Sequence, residues 1–215
     1  MNTPLIEACV DSYASCRAAW LGGADRLELC AHLVIGGTTP STALFRQVQR
    51  DIPVKTNILI RPRFGDFLYS REELEQMCEE IRMYRALGAN GIVIGALTPD
   101  GDLDMESMRR MMDCAGDMDV TLHRAFDMTR DPMQTLEDAI RLGCKTILTS
   151  GQPRDPGAQP PVRQSRSRRR GHFGGRRGDV FKPDGALRAR ADAHGIRTRA
   201  GRPAVRRCGG DIRHC

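Results

Sequence analysis

The segment Val120-Thr121-Leu122-His123-Arg124-Ala125-Phe126-Asp127 sets a histidine, an arginine and an aspartate just beyond a short apolar run. A histidine so placed can act as a general base or a metal ligand; the plainer alternative is a ring hydrogen-bonded to a neighbouring carboxylate. Glu7, Glu28 and Asp127 are the carboxylates that would assist His123 in acid–base work. The arginines of Arg61-Pro62-Arg63-Phe64-Gly65-Asp66, together with Arg124, have the fork geometry that grips a carboxylate or a phosphate. Asp66 and Ser150 belong to the same candidate binding set. Against this stands simple ion pairing of those arginines with Glu7, Glu28 and Asp66. Cys9 and Cys30 are two thiols at the ends of consecutive apolar runs, a pairing suited to a soft ion such as Cu(I). The alternative is a pair of small buried residues. The turn Gly36-Gly37-Thr38-Thr39-Pro40-Ser41 precedes a helix and could cradle an anion on its N–H groups.

These residues need a scaffold that brings them together, and the hydrophobic pattern supplies one. Short apolar runs at 5–9, 26–30, 55–60, 91–95, 120–123 and 146–149 read as strands. Helical spacing fills the intervals at 12–21, 41–50, 70–87, about 104–115 and 132–142. Ser70-Arg71-Glu72-Glu73 is a capping box opening the longest helix. Leu-Gly recurs at each of three helix ends, Leu21-Gly22, Leu87-Gly88 and Leu142-Gly143, with a strand starting a few residues later. Strands alternating with helices predict an α/β fold with a parallel sheet, either a doubly wound sheet or a (β/α)8 barrel. No G-x-G-x-x-G follows the first strand, which disfavours a dinucleotide-binding sheet. In either fold the candidate groups gather past the C-terminal ends of strands.

Charge divides the chain in two. The 215 residues carry a net +6, but residues 1–152 hold 16 Lys+Arg against 22 Asp+Glu, a balance of −6. Residues 153–215 hold 17 against 5, a balance of +12. That second segment contains 16 Arg, ten Gly and six Pro, with eight Leu, Ile, Val or Phe, too few to build a core. It reads as a basic, low-order tail. The box Arg168-Arg169-Arg170-Gly171-His172-Phe173-Gly174-Gly175-Arg176-Arg177-Gly178 has the composition of an RNA-binding segment. Translation of GC-rich DNA in a shifted reading frame yields the same composition, and is the reading favoured. No apolar run reaches membrane-span length and the N-terminus lacks signal-peptide character. With no C-x-x-C among the eight Cys, reduced thiols in a cytoplasmic protein are expected.

Five segments, taken in order, resemble the CutC family of copper homeostasis proteins. They are Arg26-Leu27-Glu28-Leu29-Cys30, Gly36 to Ser41, Ile60 to Ser70, His123 to Asp127 and Leu148-Thr149-Ser150-Gly151. The likeness runs from about Leu5 to Gly151, with Phe64 standing where a second glycine is expected. It implies a cytoplasmic (β/α)8 barrel tied to Cu(I), with Cys9 and Cys30 at the positions of the proposed copper ligands. The Glu, Arg and His rim of such proteins also resembles an enzyme pocket. A full member continues with a Pro-Gly-Gly-Gly turn and a Glu-x-His strand, and neither follows Gln152. The expectation is therefore an incomplete barrel of about six βα units over residues 1–152, followed by an unrelated tail at 153–215. Its open edges would favour pairing, for example as a homodimer. The functions expected, in order, are Cu(I) binding, a barrel enzyme acting on a small anion, and RNA binding by the tail.

Overall fold

A computed structural model describes residues 4–151. Six strands, β1 (Glu7–Val10), β2 (Arg26–Leu29), β3 (Lys55–Leu59), β4 (Gly91–Ile94), β5 (Asp119–Leu122) and β6 (Thr146–Ile147), alternate with five helices. The helices are α1 (Tyr13–Leu21), α2 (Thr42–Asp51), α3 (Arg71–Ala86), α4 (Met105–Ala115) and α5 (Pro132–Leu142). The strands are parallel and lie in chain order, β1-β2-β3-β4-β5-β6. That order decides between the two architectures. A doubly wound sheet reverses its strand order part-way and puts helices on both faces. Consecutive order with same-handed crossovers puts every helix on one face, as in a barrel wall. Among the described residues β1 and β6 do not pair, so the wall is open.

Alternation along the strands produces two unlike faces. Val10, Leu27, Leu29, Ile58, Ile92, Ile94, Val120 and Leu122 turn outward and join helix residues such as Phe45, Met77, Ile81, Tyr84, Met108 and Met111 in one apolar core. The inner face carries Glu7, Cys9, Arg26, Glu28, Asn57, Thr121 and His123 in the alternate positions. Its apolar share is a small cluster of Cys30, Leu59 and Val93 with Leu33 against it. The outer core supplies the stability, and the inner face is free to be polar.

Local signals set the element ends. Ser12, Ser41, Ser70, Asp104 and Asp131 cap the five helices, each accepting a backbone N–H one turn in. Ser70 and Glu73 form the reciprocal capping box of α3. The recurring helix-end glycines work through the left-handed backbone at Gly23, Gly88 and Gly143 (φ 93°, 81° and 89°). One boundary departs from expectation in a way that matters. The first strand spans Glu7–Val10 rather than residues 5–9, so Glu7 opens the strand instead of ending it. The expected features of residues 153–215 lie outside the described residues.

Candidate functional site

A cavity of about 180 Å³ opens at the C-terminal rim of the wall. Its lining comes from four strand ends and the loops that follow them: Cys9 from β1, Glu28 and Cys30 from β2, Leu59 and Arg61 from β3, and His123 and Arg124 after β5. Leu33, Gly36, Phe67 and Leu148 complete it. Six of the candidates, Cys9, Glu28, Cys30, Arg61, His123 and Arg124, thus share one pocket.

The β1–β2 side is built around a carboxylate. Cys9 pairs in register with Glu28 on the neighbouring strand. The Cys30 thiol donates to Glu28 Oε1 at 3.6 Å, and Cys9 faces the same carboxylate from the neighbouring strand, close enough for its charge to act on the thiol. Burial, then the charge of Glu7, raises the Glu28 carboxyl above its ordinary range, and the thiol donors offset part of that rise. Cys9 reaches solvent at the open edge, yet the protein packed behind it and the Glu28 charge push its thiol up to about 12. Cys30 is fully buried, and burial followed by the Glu28 charge raises its thiol further. Both sulfurs therefore carry protons at neutral pH.

The β3–β5 side is built around Arg61 and His123. Arg61 Nη1 donates to the carbonyls of Gly36 and Gly37, each at 3.0 Å, and Nη2 to that of Gly65 at 2.7 Å. The glycine-rich turn therefore faces Arg61 with carbonyls. Its N–H groups at Gly36 and Gly37 are spent on Leu33 O and His32 O, so the expected anion cradle there is replaced by a cation clamp. His123 Nδ1 accepts the Ala125 N–H at 3.2 Å, which leaves the ring proton on Nε2. Burial, with the Arg61 charge second, lowers this imidazole to about 3. The ring is neutral through the physiological range, and its geometry suits a hydrogen-bond donor better than a general base. Phe67 lies against it, ring centres 4.7 Å apart. A Cβ at Gly95 would stand 2.6 Å from His123 Cε1, so the ring occupies space that glycine alone leaves free.

The CutC family model matches residues 4–162. The chain belongs to the CutC family. A CutC protein from Chromobacterium violaceum is 47% identical over 148 residues, covering 69% of this chain and 60% of its own length. A human relative named copper homeostasis protein cutC homolog is 48% identical over 150 residues, covering 70% and 55%. A solved CutC structure from Streptococcus agalactiae superposes with a TM-score of 0.67 at 27% identity, covering 71% of this chain and 75% of that one. This family member spans about three fifths of the length of the curated relatives it matches.

The remaining candidates sit away from the family member's pocket. Glu7 pairs with Arg26 through two hydrogen bonds, 2.7 and 2.8 Å, at the opening ends of β1 and β2. The shifted start of β1 puts it there, so it acts on the rim through its charge on Glu28 rather than by contact. Arg63 is held by Glu73 (2.5 Å) and Asp66 (2.9 Å) and donates to Leu68 O. It braces the loop after β3 onto α3, with Asp66 as its partner. Asp127 is buried and accepts from Thr149 Oγ1, from the Ser150 N–H and hydroxyl (both 3.0 Å), and from Arg124 Nε (3.1 Å). Burial pulls its carboxyl upward, but these hydrogen bonds outweigh it and hold the group below the usual range. Asp127 and Ser150 therefore tie the end of β6 to the turn after β5. Sequence reading passed over Gly95 and the Ala125 N–H, although a glycine closing a strand is a recognised sign of close approach.

Proposed function

We propose that this CutC family chain binds Cu(I) as cargo in the cytoplasm, held by the thiolates of Cys9 and Cys30. The observation that carries this reading is that the two thiols, from adjacent strands, flank the same Glu28 carboxylate in one rim pocket. Two thiolates are a soft donor set, which selects Cu(I) over harder ions. Among the described residues no group of three or more His, Cys, Asp or Glu is arranged to hold a metal. The copper homeostasis name of the human relative agrees with this reading. Among the described residues no helix is long and apolar enough to cross a membrane.

Because both thiols are protonated beforehand, loading the ion releases two protons. Glu28 is the carboxylate that interacts with both thiols before they deprotonate. Titrating Cu(I) under reducing conditions into the 215-residue chain and into a Cys9→Ser/Cys30→Ser double variant tests the assignment. One equivalent bound by the wild type and lost in the variant is expected; equal affinity would overturn it.

A further inference from the structure

The buried His123 Nε2 donor in the rim pocket has no acceptor among the described residues; Arg61 Nε also lacks one in hydrogen-bonding geometry, although the Tyr69 hydroxyl, itself unpaired, interacts with this guanidinium. Both side chains are more than nine-tenths buried, 4% and 7% exposed, and both line the same cavity. Buried donors in native proteins are almost always paired with protein, water or ligand, so orphans on a cavity wall mark where an acceptor belongs.

Everything else about the two groups is fixed. The imidazole is held by the Ala125 N–H on Nδ1, packs beside the Phe67 ring and fills the space over Gly95. The guanidinium is locked by three carbonyls and by the Phe67 ring 5.0 Å from its central carbon. A neutral imidazole N–H beside a permanent positive charge suits an oxygen carrying negative charge. Arg124 adds a second guanidinium to the lining, its charge shared with Asp127. Glu28 is the carboxylate of the lining, and it is turned to the two thiols.

We propose that this cavity binds a small oxyanion, a carboxylate or a phosphate, with one oxygen accepting from His123 Nε2–H beside the Arg61 guanidinium. The anion contacts use neither sulfur atom, but both sites share one rim pocket, so the test is made on copper-free protein. His123 is then a binding residue that presents a proton without giving it up.

The test is a titration of the copper-free 215-residue chain with inorganic phosphate and, separately, with acetate. It is followed by long-range 15N–1H NMR of the histidine side chains. A saturable shift of the His123 Nε2–H resonance with either anion, while His32 stays put, is the expected result; which anion produces it identifies the chemistry. The absence of a saturable shift with both anions overturns the proposal on wild-type protein alone. His123→Gln keeps a side-chain N–H and should retain binding, whereas His123→Leu should weaken it by roughly tenfold or more. Equal anion affinity in a folded His123→Leu variant also overturns the proposal.

Discussion

At the scale of single residues, His123 shows how environment sets a side chain's use. Its type and its place after a strand were plain in the sequence, but its protonation state was not. That state depends on the Ala125 N–H, the Arg61 charge and the depth of burial, none of which has a sequence signature. The same burial makes a prediction about acid. The folded ring titrates near 3 and an unfolded histidine near 6.5, so between those values the unfolded chain binds more protons. Stability is therefore intact above pH 6.5 and falls as pH drops toward 3, by up to about 1.4 kcal/mol per pH unit from this group. Denaturant titrations across that range should show the slope, and His123→Gln should flatten it. A wild-type slope unchanged by His123→Gln would place the acid sensitivity elsewhere. Gly95→Ala asks the packing question: the added methyl meets the ring at 2.6 Å and should cost about 1–3 kcal/mol by chemical denaturation. A cost near zero would mean the imidazole has room to retreat.

At the scale of elements, the strand and helix order was legible because each signal was local. Apolar runs, serine and aspartate caps and helix-end glycines all act within a turn or two of chain. The first strand was less legible, since Leu5 and Ile6 extend the apolar run but are exposed, 57% and 58%, and precede the ladder. That shift by two residues moves Glu7 from the rim to the opposite end of the strand, where Arg26 meets it. The arginines after β3 show a second limit of sequence. Spacing marked Arg61 and Arg63 alike, yet one clamps loop carbonyls and the other bridges to α3. Which partner each finds depends on loop conformation. Glu73 does double duty, capping Ser70 and pairing with Arg63. Ser70→Ala should cost about 1 kcal/mol through the cap alone. Glu73→Ala should cost more, because it also frees the loop after β3; thermal melts of the two variants settle the order, and equal losses would remove Glu73 from the loop's support.

At the scale of the molecule, the net +6 belongs to no single surface. The described residues form an acidic barrel wall, and the basic balance resides in residues 153–215. The family match reaches residue 162, ten residues beyond the point where composition changes. β1 and β6 each pair with one strand among the described residues, and an unpaired parallel edge is a template for another chain. Light scattering on the purified 215-residue chain should therefore report a mass above the 23.9 kDa monomer. A monodisperse monomer with one cooperative unfolding transition would show that the edges are already satisfied. Cu(I) affinity should climb steeply with pH, by up to about a hundredfold per unit while both thiols must deprotonate. The proposed Cu(I) site rests on the thiols of Cys9 and Cys30 in the rim pocket. Copper K-edge X-ray absorption on the Cu(I)-loaded chain tests that claim most directly. Two sulfur scatterers in the first shell, lost in the Cys9→Ser/Cys30→Ser variant, are predicted; a first shell of nitrogen or oxygen, or an unchanged spectrum in the variant, would contradict it.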